Sequence, residues 1–155
     1  MRHAQRFTVS LGLAVILAAI VFTTMSAQSS RTFKTRLAPV PIDVAMQATI
    51  AGTGSVTAVL TGTKLAVTGT FEGLKSPATI AQVHKSPVRG VRGPVVFDVP
   101  VAKTDASSGT LSGSFELTAP QIADLEKGRL YVQVHSEKAP DGNLWGWLTA
   151  QENKR

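Results

Sequence analysis

The sequence predicts an all-β domain: an antiparallel β-sandwich or barrel with Greek-key-like connections and one short helix. Three observations lead there. First, Leu65, Val67, Gly69 and Phe71 alternate with Ala66, Thr68 and Thr70, the period-2 pattern of a strand with one buried face. Second, the apolar segments of the second half are short, and Gly, Pro, Ser or Asp punctuate them where turns need those residues. Third, only one segment carries helix start and stop signals. The 155 residues give room for one domain. A hydrophobic share of 43% against 17% charged favours a packed core over a disordered chain. Aromatic residues make up only 6%, so that core rests on Val, Leu, Ile and Ala.

The chain opens as an export signal. Arg2 and Arg6 precede an apolar run, LGLAVILAAIVF, and small residues follow up to Ala27. Basic, apolar, then small is the order of a secretory signal, and cleavage is expected after Ala27. The strongly apolar run, residues 11–22, is shorter than the ~20 residues that span a bilayer. No stable membrane span is therefore expected after cleavage. The expected organisation is a signal peptide at 1–27, a linker and lead-in at 28–45, the β domain at 46–151 and a tail at 152–155. Pro39 and Pro41 impose an extended path on the lead-in.

Within the domain, 55–60 is the expected partner of 65–71, joined by a turn at 61–63. Further strands are expected at 79–84, 94–101, 110–117, 129–135 and 143–150. The helix is expected at 119–127. Thr118 and Gln121 have capping-box spacing, Pro120 is tolerated in the first turn, and Gly128 stands where the helix should stop. Ile122 and Leu125 supply its apolar stripe.

Composition excludes several functions. The chain has no Cys, so disulfides, thiolate metal sites and cysteine nucleophiles are out. Of its 16 Lys and Arg, set against 10 Asp and Glu, two lie in the signal, and the others are scattered. No basic run interleaves with aromatics, so no nucleic-acid partner is expected. No nucleophile elbow and no paired carboxylates stand out, and the chain reads as non-enzymatic.

One pattern occurs twice. Gln82-Val83-His84 is followed by Gly90 and Gly93, and Gln133-Val134-His135 by Gly142 and Gly146. Two similar β-hairpins, related by pseudo-symmetry, account for it. The segments 80–99 (IAQVHKSPVRGVRGPVVFDV) and 130–148 (LYVQVHSEKAPDGNLWGWL) resemble the two hallmark segments of the chordin-type, or CHRD, domain family. Leu37 to Pro41 and the Gly73-Leu74 step also fit, so the resemblance runs from about residue 37 to 150. Gln82 departs from it, standing where the family has the first His of a His-x-His pair. Asp141 replaces a glycine, and Asn143 and Trp145 stand where an acid and a base are common. The resemblance implies an exported protein, of the bacterial single-domain type, and transfers no defined chemistry or cofactor.

Alternation puts Gln82 and His84 on one strand face and Tyr131, Gln133 and His135 on another. If the strands are neighbours, the two imidazoles lie close together. Their structural reading is that each histidine bonds the backbone of the following loop. Their functional reading is a copper or zinc site, with His84 and His135 as ligands. Trp145 and Trp147 share a face opposite Leu144 and Leu148, which makes them an exposed or half-buried strip. The expected binding set is Gln82, His84, Tyr131, Gln133, His135, Asn143, Trp145 and Trp147. The function this supports is a non-catalytic binding or structural module in the periplasm or outside the cell. Its partner would be a protein or glycan of the cell envelope. A periplasmic metal-binding or redox-associated protein is the alternative.

Overall fold

The structure, a computed structural model, describes residues 29–105 and 107–152. The expected signal peptide and the last residues of the tail lie outside them. Ten strands and one α-helix follow in chain order: β1 (Ser30–Pro39), β2 (Thr53–Thr61), β3 (Lys64–Glu72), β4 (Ala78–Lys85), β5 (Val95–Val99), β6 (Val101–Lys103), β7 (Gly109–Glu116), α1 (Ala119–Glu126), β8 (Leu130–Ser136), β9 (Ala139–Trp147) and β10 (Thr149–Ala150). Neighbouring strands run in the order β5-β4-β8-β9-β1-β2-β3-β7-β6, with β10 also on β1. Every pairing is antiparallel. The result is the expected β-sandwich or nearly closed barrel.

Two strands turn the corners between the halves. β1 pairs with β2 from Ser30 to Leu37, then crosses to β9 through Ala38 and Pro39. At the far side, the stretch expected as one strand at 94–101 divides at Pro100. β5 pairs with β4, while β6 pairs with β7. Proline has no N–H for a ladder, so a strand changes sheets there at little cost.

The largest departure from expectation is β1. The segment 28–45 was expected as linker and lead-in, yet Ser30–Pro39 is a full strand inside the sheet. Its buried residues are Phe33 and Leu37. The residues between and around them are mostly Arg, Lys and Thr, which hides the pattern. The sheet therefore includes Ser30–Pro39. Met46–Ala48 is a single 3-10 turn, and strand structure resumes at Thr53.

The core lies between the two halves, built from Leu65, Val67, Leu111, Leu130, Val132 and Leu144 among others. α1 closes one end by burying Leu125. Its capping box is present: Thr118 N–H donates to Gln121 Oε1 at 2.8 Å, and Gln121 N–H donates to Thr118 Oγ1 at 3.4 Å. Asp124, buried on the same helix, accepts from Lys85 Nζ at 2.7 Å and ties α1 to the end of β4. That ammonium group, foremost by its hydrogen bond, holds the Asp124 carboxyl below the usual carboxylate range.

Candidate functional site

The repeated Gln-Val-His strands are neighbours. β4 and β8 pair antiparallel, with Gln82 opposite Gln133, Val83 opposite Val132 and Ala81 opposite Val134. Equivalent residues thus sit across a local pseudo-twofold axis that passes between the two glutamines. The hairpin β4–β5 lies on one side of it and β8–β9 on the other. Both copies put valine on the core face and Gln and His on the opposite face.

That opposite face is also covered. All seven residues of β8 are buried, so this central strand is packed on both sides. Tyr131, Gln133 and His135 of β8, His84 of β4 and Trp147 of β9 form a second, polar–aromatic layer. The rings pack against one another in a row. His84 lies 4.9 Å from Tyr131, Tyr131 lies 4.9 Å from Trp147, and Trp147 lies 4.7 Å from Trp145, centroid to centroid. Loops return over the layer. His84 Nδ1–H donates to the Gly93 carbonyl at 2.9 Å, and His135 Nδ1–H donates to the Pro140 carbonyl at 2.8 Å. A carbonyl only accepts, so each ring carries its proton on Nδ1 when neutral. Gly93 N–H donates to the Tyr131 hydroxyl, and Gln133 Nε2 donates to the Asp141 carbonyl at 2.7 Å. Arg92 also donates to the Asp141 carbonyl and so joins the loop before β5 to the start of β9.

The two imidazoles come together, with centroids 6.1 Å apart. Four buried polar atoms of this layer have no hydrogen-bond partner among the described residues: His84 Nε2, His135 Nε2, Gln133 Oε1 and Trp147 Nε1. Burial holds the His84 imidazole below its ordinary value of 6.5. The Gly93 carbonyl opposes this shift, while His135 and Arg92 reinforce it. His84 is therefore neutral around pH 7.

The other expected residues fall differently. Gln82 is half-buried and donates to Asp98 Oδ1 of β5 at 2.8 Å. Asn143 is wholly buried, and both of its amide atoms are engaged. Its Nδ2 donates to Ser136 Oγ at 2.9 Å, and its Oδ1 accepts from Ala51 N–H at 3.3 Å. The expected exposed tryptophan strip is corrected in part. Trp147 is only 7% exposed, because Tyr131 and Trp145 pack on it, whereas Trp145 stays half-buried beneath the Arg92 guanidinium. Reasoning from sequence missed Ser86. Ser86 is fully buried and donates to the Val91 carbonyl at 2.6 Å, bracing the loop from inside. No helix among the described residues is long and apolar enough to cross a membrane. Nor do the described residues gather three or more His, Cys, Asp or Glu side chains into one cluster.

Compared with known proteins, residues 33–148 match the family model of the CHRD domain. Neither the curated proteins nor the solved structures contain a match to the chain.

Proposed function

The chain belongs to the CHRD domain family, and from that premise we propose that it is an exported, non-catalytic binding module of the cell envelope or periplasm. Its family is non-enzymatic. Its contact surface is the pair of loops that follow the two repeated strands. The observation that carries this reading is how those loops are held. Gly93 of the first loop and Pro140 at the start of β9 are pinned to buried histidines, and Arg92 joins that loop to β9. Yet the tip of the loop between β4 and β5 is apolar and open: Val88 is 59% exposed and Val91 45% exposed, beside exposed Arg89 and Arg92. Apolar side chains held on a rigid, pre-ordered loop suit recognition, because little ordering entropy remains to be lost on binding. Half-buried Trp145 extends the surface. The basic rim suits an acidic protein or an anionic glycan.

The test is capture from cell-envelope extract by the purified chain and by its Val88→Asp/Val91→Asp double variant. The expected result is a defined partner held by the parent and lost by the variant, with both proteins unfolding at the same temperature. Equal capture by the two removes the loops as the contact surface.

A further inference from the structure

We propose that His84 and His135 bind one copper(I) ion through their Nε2 atoms, with Gln133 Oε1 beside them. The site lies beneath the loops and needs no macromolecular partner, so it goes beyond the docking role above. It starts from the unpartnered atoms. Both Nδ1 atoms donate to loop carbonyls, which leaves each neutral ring with its lone pair on Nε2. A backbone carbonyl on the far nitrogen is the arrangement that orients metal-ligating histidines. His84, His135 and Gln133 are 7%, 8% and 2% exposed, so none of these three acceptors turns to bulk water. A buried acceptor left unmatched costs about 1–3 kcal/mol. Three in one layer leave room for a donor or a cation between them.

Charge and geometry select the ion. No carboxylate or thiolate accompanies the two histidines, and the described residues form no three-residue cluster of metal-ligating side chains. A divalent ion here would keep its full charge in a buried place, with Arg92 nearby, at a large desolvation cost. A monovalent ion meets a far smaller one. Metal–imidazole bonds of about 2.0 Å, plus a ring radius of about 1.1 Å, separate two ligating centroids by roughly 6 Å in a linear arrangement and by roughly 5 Å in a tetrahedral one. The observed 6.1 Å is within reach of the linear case, in which the two Nε2 atoms face each other across the ion. Two-coordinate linear binding is the habit of copper(I) and not of zinc. The pseudo-twofold axis between β4 and β8 supplies the ligands as a symmetric pair.

The experiment is an anaerobic titration of the purified chain with copper(I), in competition with a chromophoric copper(I) chelator. It uses a His3→Ala background, since His3 is the third histidine of the chain. A parallel titration uses Zn²⁺. The expected result is uptake of one equivalent of copper(I), lost in a folded His84→Gln/His135→Gln variant, with weaker uptake of Zn²⁺. Imidazole ¹⁵N spectra of the His3→Ala protein should show both Nε2 resonances moving on copper addition while both Nδ1 atoms stay protonated. Should the double variant fail to fold, those spectra decide alone. Unmoved Nε2 resonances, uptake that survives in the double variant, or a preference for Zn²⁺ would overturn the proposal.

Discussion

Replacing Trp147 with Ala should unfold much of the stability margin, because this side chain works as core. It is 7% exposed, with the Tyr131 ring 4.9 Å and the Trp145 ring 4.7 Å away. A buried Trp side chain removes about 150–250 Å² from water, worth about 4–6 kcal/mol at 25 cal/mol per Å². The denatured chain already buries some of that area, which lowers the figure by about 10–40%. The indole N–H has no partner among the described residues, so deleting it returns about 1 kcal/mol. The expected net loss is about 2–4 kcal/mol, on the order of 10 °C in Tm for a domain of this size. Trp145→Ala should cost less, about 1–2 kcal/mol, since its half-buried ring gives up less area. Urea unfolding followed by far-UV circular dichroism measures both. If Trp147→Ala stays within about 0.5 kcal/mol of the parent, as a surface substitution does, then the polar–aromatic layer is not a second core and the packing argument fails.

Two further outcomes follow from the same layer. His84 is held below its ordinary value, so the unfolded chain takes up its proton first as pH falls. Stability should therefore be greatest above about pH 6.5 and fall by up to 1.4 kcal/mol per pH unit below it, levelling once the folded histidine also titrates. Urea midpoints measured with a chelator present should show this slope, and His84→Gln should flatten it; an unchanged slope in the variant would assign it to other groups. Gly142 has φ 122°, and a side chain there would overlap the Gln133 amide, so Gly142→Ala should cost about 2 kcal/mol or more. Gly90, at φ 92° but with nothing near its Cβ position, carries only the backbone strain, and Gly90→Ala should cost about 1 kcal/mol. Equal effects of the two substitutions in thermal melts would mean that contact with Gln133 contributes nothing.

What could be read in advance was local. The alternation at 65–71, the capping box at Thr118 and the turn spacing each act within one element, and each element formed. The twinned Gln-Val-His motif pointed to two like hairpins, and the pairing of β4 with β8 sets them side by side. Strand β1 was missed because its two buried residues, Phe33 and Leu37, lie among Arg31, Lys34 and Arg36. Its strand character comes from β2 and β9 on either side, neither of which is adjacent in sequence.

The tryptophan strip shows a different limit. Alternation states which side chains share a face, but not what lies over that face. One sign of the cover was present, since the seven residues of β8 include no charge on either face. A strand with one face in water rarely lacks one. The other sign was the glycine rhythm of the repeat. A Cβ at Gly93 would overlap the Lys85 carbonyl, and one at Gly142 would overlap the Gln133 amide. Both glycines mark where a loop backbone returns over its own hairpin closely enough to exclude a side chain. The neighbouring carbonyls, of Gly93 itself and of Pro140, are the ones the two histidines bind. Read together, His and the glycines after it describe one device used twice: a loop folded back and fastened over the strand that precedes it. That device makes the face beneath an interior, and so leaves the imidazole Nε2 atoms buried instead of wet.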